Sequence, residues 1–313
     1  MLRLIGRRLT FAIPMLFIVS FLSFFLVSLS PTDPARVILG PYASQEAVEA
    51  KQLELHLDDS IFGQYWRWLQ GALHGDLGRS IVGGGDVTTQ LNARLGATLS
   101  LVLVSLGVVA VLGVGLGIVS AVRGGVIGRT ADAISVAGFA LPAFWIALLL
   151  TSFFSVRLGW FPVAGYSTID QGVRDWGRSL ALPAFAASLA GVAVVSKQTR
   201  ASMLEALSRD YVRVMEANGF SRRSIVYRHA LRNATIPVVT VMGVFTVSLL
   251  GSAVVIENLF AYPGIGSLAA SAAAQHDLPL IQGAVIYFTL IVIFVGLLLD
   301  ISYSLIDPRV RVH

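Results

Sequence analysis

SMLEALSRDYVRVMEANGFSRRSIVYRHALRNATIP, residues 202–237, is a polar and strongly basic stretch between two long apolar runs. It contains six arginines and three carboxylates, whereas residues 179–196 before it and 238–256 after it contain no charged side chain. An apolar run of roughly 20 residues is long enough to cross a bilayer. The pattern therefore predicts two membrane spans joined by a charged segment on one side of the membrane.

The composition of the whole chain agrees with a membrane protein. Of its 313 residues, 55% are hydrophobic and 13% are charged, and the mean hydropathy is +0.76. These values exclude an ordinary soluble domain and predict an all-α integral membrane fold. The formal net charge of +5 fits arginines retained on the cytoplasmic face, so we expect no nucleic-acid partner.

Charge-free intervals predict six transmembrane helices and a long extracytoplasmic loop between the first two. The predicted order is a cytoplasmic N-terminus at 1–8, TM1 at 9–29, an extracytoplasmic loop at 30–95, TM2 at 96–122, TM3 at 133–156, TM4 at 179–197, a cytoplasmic coupling loop at 198–233, TM5 at 234–257, an extracytoplasmic loop at 258–277, TM6 at 278–304 and a cytoplasmic C-terminus at 305–313. Residues 96–304 would form one membrane domain.

The distribution of basic residues predicts the orientation. The segments assigned to the cytoplasm contain most of the arginines, while the two short loops assigned to the outside contain only Arg157, Arg174 and Arg178. Short cytoplasmic loops carry an excess of Lys and Arg. We therefore expect both termini to be cytoplasmic.

The long loop at 30–95 contains two further helix signals. Ser44 is a suitable N-cap for a helix through residues 44–57. Phe62, Tyr65, Trp66, Trp68 and Leu69 have amphipathic spacing, which favours either an anchor at the membrane surface or a docking surface for an extracellular partner. In the predicted spans, Gly113 and Gly117 form a pair that allows helices to approach closely, and Pro142 is expected to bend TM3.

The charged stretch itself predicts a helix, a tight turn and a second helix. Leu204, Leu207, Tyr211 and Met215 recur at helical spacing, which indicates one amphipathic helix. Gly219 can then adopt the positive φ of a helix C-terminus, and Ser221 is a suitable N-cap for the helix that follows. Such a short helix can enter a groove on a partner. Contact of its arginines with anionic lipid head groups is the alternative.

A second candidate is the external stretch at 260–266, FAYPGIG. Pro263 restricts φ, and Gly264 and Gly266 allow a tight turn. Phe260, Tyr262, Pro263, Gly264 and Gly266 could form a gate or a docking loop for an external protein, or a purely structural re-entry into the membrane.

Several motifs, taken in order, resemble the permease subunits of binding-protein-dependent ABC importers, in the dipeptide, oligopeptide and nickel branch and of the first-permease type. The motifs that carry the resemblance are Ser30-Pro31-Thr32-Asp33-Pro34-Ala35, Gly75-Asp76-Leu77-Gly78, the coupling loop, Phe260-Ala261-Tyr262-Pro263-Gly264-Ile265-Gly266, His276-Asp277-Leu278-Pro279 and Asp307-Pro308-Arg309-Val310-Arg311. One position departs from the wider family, because Arg213-Val214-Met215 stands where that family has Glu-Ala-Ala. Glu216 falls three residues later than the glutamate of that signature.

The resemblance implies a type I ABC importer permease fold and an ATP-driven import of dipeptides or oligopeptides delivered by a solute-binding protein. The residues implied to couple to the ATPases are Arg213, Glu216, Ala217, Asn218, Gly219, Phe220, Ser221, Arg222 and Arg223. The implied partners are a second homologous permease, two cytoplasmic ABC ATPases that bind ATP and magnesium, an extracytoplasmic solute-binding protein and the lipid of a bacterial plasma membrane.

The residues also limit the rival functions. Both lysines, Lys51 and Lys197, are followed by Gln, so the chain has no P-loop of its own. The apolar intervals lack His, Cys, Asp and Glu, which argues against an intramembrane enzyme, and we expect no catalytic, cofactor or metal site. An ATPase-independent carrier and a membrane scaffold or receptor with a basic docking loop remain the alternatives.

Overall fold

The computed structural model describes residues 2–29, 33–40 and 42–306, where the chain is helical with short connections. Ser30-Pro31-Thr32, Asp307-Pro308-Arg309-Val310-Arg311 and most of the predicted cytoplasmic C-terminus lie outside these residues. The helices are α1 (Leu2–Ser28), α2 (Pro34–Leu39), α3 (Gln45–Glu54), α4 (Ile61–Leu73), α5 (Val87–Val122), α6 (Gly125–Ala140), α7 (Ala143–Arg157), α8 (Val173–Ser208), α9 (Asp210–Ala217), α10 (Arg222–Leu259), α11 (Ile265–Ala274) and α12 (Leu278–Ile306).

Five helices within the described ranges are long and apolar enough to span a membrane. They are α5, α8, α10 and the apolar parts of α1 (Thr10–Ser28) and α12 (Leu278–Ser302). The predicted TM3 instead falls on α6 and α7, which are separated at Leu141 and Pro142. Proline disfavours the helical conformation of the residue before it, and Leu141 is extended, with φ −99° and ψ 134°. The bend expected at Pro142 is therefore a break in the helix.

Several helices are longer than the predicted spans. α5 begins at Val87, inside the predicted external loop, and α8 runs for 36 residues where the sequence predicted a span of 179–197. The predicted boundaries of the spans were placed at charged residues. An α-helix can continue past such residues into water, where it needs no apolar surface. Which part of each helix lies in the membrane stays a prediction.

The chain divides into two compact units, and the larger is built mainly on Leu99–Tyr262. Its central helix is α8, which is 72% buried over its most apolar window. Gly117 of α5 lies against α8 so closely that a Cβ there would approach Thr199 Cβ to 2.5 Å. This contact confirms the close helix approach expected from the glycine pair, because only a residue without a side chain fits.

The second unit comprises Ile5–Thr98 and Pro263–Phe294. Ser44 caps α3 as predicted, since its Oγ accepts a hydrogen bond of 3.2 Å from Ala47 N. In α4, Tyr65 is 3% exposed because it packs among phenylalanine rings of α1 and shares a 2.9 Å hydrogen bond with Ser20 Oγ. Phe62 and Trp66 on the same helix remain exposed. One face of the predicted amphipathic segment is thus occupied by α1.

A buried carboxylate fixes the start of α12 in this unit. Asp277 is 1% exposed and accepts a hydrogen bond from Ser80 Oγ at 2.5 Å. Its carboxylate also accepts from the backbone N–H groups of Ile81 and Val82, and from Leu280 N in the first turn of α12. The side chain therefore caps α12 and holds the 80–82 loop against it.

Candidate functional site

The predicted amphipathic helix at 204–215 is two helices, because the chain breaks at Arg209. Arg209 is extended, with φ −74° and ψ 149°, so α8 ends at Ser208 and α9 begins at Asp210. Asp210 in the first turn of α9 interacts favourably with the helix dipole. Arg209 pairs with Glu205 of the preceding helix at 2.7 Å. The prediction of one continuous helix was therefore wrong at this residue.

Residues 209–223, which we call the docking segment, are mostly exposed, and the exposure is continuous from Glu216 to Arg223. All nine residues predicted to couple to a partner are exposed: Arg213, Glu216, Ala217, Asn218, Gly219, Phe220, Ser221, Arg222 and Arg223. Val212, which the sequence reasoning did not single out, is the buried residue of α9 at 5% exposure. The structure thus brings every predicted coupling residue to the surface.

Gly219 ends α9 in a Schellman motif. Its φ is +77°, as the sequence predicted, and its N–H donates to Glu216 O at 3.0 Å. The N–H of Phe220 donates to Met215 O at 3.1 Å, which completes the six-to-one bond of this motif. A residue with a Cβ is strained at positive φ, although no atom lies within 4 Å of the Cβ position. The requirement for glycine is therefore conformational.

Ser221 begins the next helix. Its φ and ψ are −65° and 142°, and its Oγ accepts from Ser224 N at 3.3 Å, which confirms the predicted N-cap. The helix continues past the predicted end of the loop at residue 233: it passes through a π-helical stretch, Ile225–Ala230, and ends at Leu259. The docking segment is thus joined without interruption to a candidate membrane span.

Two arginines lie at the N-terminus of a helix, where a positive charge is least favourable. Arg222 and Arg223 occupy the first turn of α10, next to the positive end of the helix dipole. Neither forms an ion pair with a carboxylate of the described residues. These charges do not help their own helix, and their contact with an acidic partner or with anionic lipid head groups stays a prediction.

The base of the docking segment is held by apolar packing and by two side-chain contacts. Ile225, Val226 and Ala230 are buried, and the last two pack in a cluster with Met203 and Ala206 of α8. Asn233 Nδ2 donates to Tyr211 Oη at 3.0 Å, which joins α9 to α10. The rings of Phe220 and His229 meet edge to face, with centroids 6.2 Å apart. The base of the docking segment is thus in contact with both α8 and α10.

The second candidate, residues 260–266, is mostly buried. Phe260 and Tyr262 are 2% and 1% exposed, Gly264 and Gly266 are also buried, and Pro263 is exposed. The expected glycine turn is absent: Gly264 is extended with φ −96°, Gly266 lies inside α11, and the positive φ belongs to Ala261 at 47°. The turn occurs earlier because α10 ends at Leu259 and Tyr262 N bonds back to Glu257 O at 2.7 Å.

The environment of Tyr262 explains the burial of this stretch. Its ring packs on Tyr166 at a centroid distance of 4.7 Å, and Phe260 O accepts a 2.8 Å hydrogen bond from Gly165 N. Burial, with smaller contributions from Tyr166 and Glu257, raises the pKa of the Tyr262 hydroxyl above its usual range. The phenol is therefore neutral at physiological pH. These contacts favour the structural alternative for 260–266, and the gate or docking role stays a prediction.

Among the described residues, no group of three or more His, Asp or Glu side chains could hold a metal ion. That the candidate site receives a macromolecular partner stays a prediction. Its charge is positive, with six arginines and three carboxylates between Glu205 and Arg232.

Comparison with known proteins gives matches along the whole chain. Residues 113–312 match the family model "Binding-protein-dependent transport system inner membrane component", and residues 1–102 match the model of the N-terminal region of such membrane components. The glutathione transport system permease protein GsiC of Escherichia coli K12 is 38% identical over 312 residues, which is 99% of each chain. A Brucella abortus protein named as a peptide transport system permease is 39% identical over 312 residues, again 99% of each chain.

A solved structure shows the same fold at low sequence identity. A chain of the MetNI methionine ABC transporter, in an inward-facing conformation, superposes with a TM-score of 0.54 and 16% identity. The match covers 69% of this chain and 96% of that chain. At this identity the likeness establishes the fold alone.

Proposed function

Because this chain belongs to the inner membrane components of binding-protein-dependent transport systems, we propose that it imports peptides and that ATPases drive it through the docking segment. The family makes it a multi-pass inner membrane permease of an ABC importer, a non-catalytic subunit without a cofactor of its own. Such a subunit works with ATPases and a binding protein. The resemblance noted in the sequence is thereby confirmed.

The proposed substrate class is a small peptide. Similarity over 99% of the chain to a glutathione permease and to a peptide permease supports it. The predicted spans carry charged side chains only near their ends, at Lys197, Glu257 and Asp300, so tight recognition of a charged ligand at the centre of the membrane is disfavoured. We place most of the substrate specificity in the solute-binding protein.

The proposed topology has six spans with both termini in the cytoplasm. Five spans are α1, α5, α8, α10 and α12, and the sixth is formed by α6 and α7 together, broken at Pro142. Broken helices are tolerated in a membrane where the freed backbone is buried in protein or lines a water-filled cavity. The excess of arginine in the predicted cytoplasmic segments supports this orientation.

The proposed coupling surface consists of the exposed residues 213–223. The single observation that carries this role is that the segment combines complete exposure at its tip with a fixed base between α8 and α10. A helix held in this way can enter a groove on an ATPase. We propose that this chain supplies one such helix to one ATPase, and that a second homologous permease supplies another to the second ATPase. Closure of the ATPases would then move the spans as rigid bodies.

Reconstitution tests the proposal. The chain, its second permease and the two ATPases are placed in liposomes, and peptide uptake and ATP hydrolysis are measured with and without the loaded binding protein. We expect uptake only when ATPases and ATP are both present, with hydrolysis stimulated by the binding protein. Peptide flux without ATPases would establish a carrier, and ATP hydrolysis or partner binding without any flux would establish a scaffold or receptor.

A further inference from the structure

A cavity of about 250 Å³ lies in the unit formed by residues 5–98 and 263–294, at the ends of two candidate spans. Its wall is formed by the end of α1, the start of α12, α4 and the loop around Ile81, together with Pro34, Leu55 and Leu57. The lining is largely apolar and includes Phe24, Val27, Leu57 and Leu278. The cavity is separate from the docking segment.

Two polar atoms in its lining have no hydrogen-bond partner. Gln282 is 3% exposed; its Nε2 donates to Ser20 O at 2.7 Å, but its Oε1 accepts no hydrogen bond. The indole Nε1 of Trp68 is likewise buried without an acceptor. Buried polar groups are nearly always satisfied, and water or a ligand supplies the partner where protein does not. The cavity thus offers one acceptor and one donor to an occupant.

The rim of the cavity is positive because of Arg79. This residue is exposed, and its Nε and Nη2 donate to Gly84 O at 3.2 and 3.0 Å. Arg79 forms no direct ion pair with a carboxylate of the described residues, although, after the hydrogen bonds from Thr89, its charge helps to lower the pKa of Asp86. The second arginine in the lining, Arg67, is paired with Asp59. The remaining donors of Arg79 are therefore available to an anion.

The position of the cavity favours a lipid over a peptide. In their most apolar windows, α1 and α12 are only 11% and 17% buried, the lowest values among the five candidate spans. Helices so little covered by their own chain offer the greatest surface to a bilayer. The cavity lies at the ends of these helices, and its apolar lining and cationic rim match the acyl chain and the phosphate of a lipid. Indole and guanidinium groups are also well suited to the membrane–water interface.

We propose that this cavity binds one phospholipid. Its acyl chain occupies the apolar part near Val27 and Leu278, its phosphate contacts Arg79, and a hydroxyl or ammonium group together with an ester carbonyl satisfies Gln282 Oε1 and Trp68 Nε1. In the proposed orientation this lipid belongs to the extracytoplasmic leaflet, but the binding itself does not depend on transport.

Native mass spectrometry of the purified permease–ATPase complex, delipidated and then supplied with phosphatidylglycerol or phosphatidylethanolamine, tests this site. Val27→Trp fills the cavity, and its matched control is Leu26→Trp, on the exposed neighbour that does not line it. Arg79→Gln removes the rim charge, with the exposed Arg174→Gln as its control. We expect both controls to retain one tightly held lipid, Val27→Trp to lower its retention at least tenfold, and Arg79→Gln to lower it about tenfold.

Other outcomes would overturn the proposal. Equal lipid retention in all four variants would show that the bound lipid lies elsewhere. Displacement of the lipid by glycerophosphate, which has no acyl chain, would reduce the site to one for a free phosphate group, and displacement by a tripeptide would make it a substrate site. Ordered water alone in the cavity of a lipid-supplied complex would also refute it. Because Arg79 is on the surface, its variant remains informative if Val27→Trp fails to fold.

Discussion

Asn233 of α10 donates a 3.0 Å hydrogen bond to the hydroxyl of Tyr211 in α9, across 22 residues of sequence. It joins the short helix that carries the proposed coupling residues to the first turns of a candidate span. Beside it lies a concavity lined by Tyr211, Arg228, His229, Arg232 and Asn233. The bond therefore braces the docking segment on a side where little apolar packing supports it.

Loss of this brace is expected to loosen coupling more than folding. Tyr211→Phe removes one exposed hydrogen bond, which contributes less than about 1 kcal/mol to stability. We expect normal membrane insertion but fewer peptides imported per ATP hydrolysed, measured as the ratio of uptake to phosphate release in proteoliposomes. The control is Tyr227→Phe, because Tyr227 of α10 is 57% exposed. An unchanged ratio in Tyr211→Phe would show that the bond plays no part in coupling.

Substitutions at Gly219 should follow the conformational preference of the new residue. With no neighbour within 4 Å of the Cβ position and φ at +77°, the cost arises from the backbone alone. That cost is about 1–2 kcal/mol for most L-residues, and asparagine tolerates this region best. We expect uptake driven by ATP to fall in the order Gly, Asn, Ala, Val at position 219. A ranking by side-chain volume, with Asn worse than Ala, would instead indicate a steric contact with the ATPase.

Reversing the charge of Arg222 and Arg223 should affect stability and coupling in opposite directions. Glutamate in the first turn of a helix is favoured by about 0.3–1 kcal/mol per residue, so Arg222→Glu with Arg223→Glu should raise or preserve thermal stability. The same change should abolish stimulation of the ATPases if their groove is acidic. Arg174→Glu is the control, since it is exposed outside the docking segment. Retained stimulation in the double variant would exclude an acidic groove as the contact.

Local signals in the sequence predicted part of the candidate site, and contacts distant in sequence account for the remainder. The Schellman turn at Gly219 and the caps at Ser44 and Ser221 depend on a few neighbouring residues, so sequence sufficed. The helix break at Arg209 could not be predicted locally, because no Pro or Gly lies next to it. The bond from Ser80 to Asp277 joins residues 197 positions apart, and no local pattern indicates such pairing.

The buried carboxylate of Asp277 should be a major determinant of stability in its unit. Asp277→Ala leaves Ser80 Oγ and the N–H groups of Ile81 and Val82 without their acceptor. Ser80 is buried at 4% exposure, and a buried donor without an acceptor is costly, so we expect the free energy of unfolding to fall by about 3 kcal/mol. Asp277→Asn should lose less because one acceptor oxygen remains. Thermal unfolding in detergent measures both, with the exposed Asp58→Ala as control; equal melting temperatures for Asp277→Ala and Asp58→Ala would contradict the assignment.

The orientation can be tested with single thiols because the natural chain has no cysteine. Ser221→Cys places a thiol on the exposed docking segment, and Asp170→Cys places one on the exposed turn between α7 and α8. In the proposed topology, a membrane-impermeant maleimide added to intact cells labels position 170, and labels position 221 only in inside-out vesicles. The two sites are separated by a single candidate span, α8, so they must react from opposite faces whichever way the chain is inserted. If both positions are labelled from the same face, α8 does not cross the membrane. If position 221 is labelled from outside and position 170 from inside, the docking segment is extracytoplasmic and cannot contact a cytoplasmic ATPase.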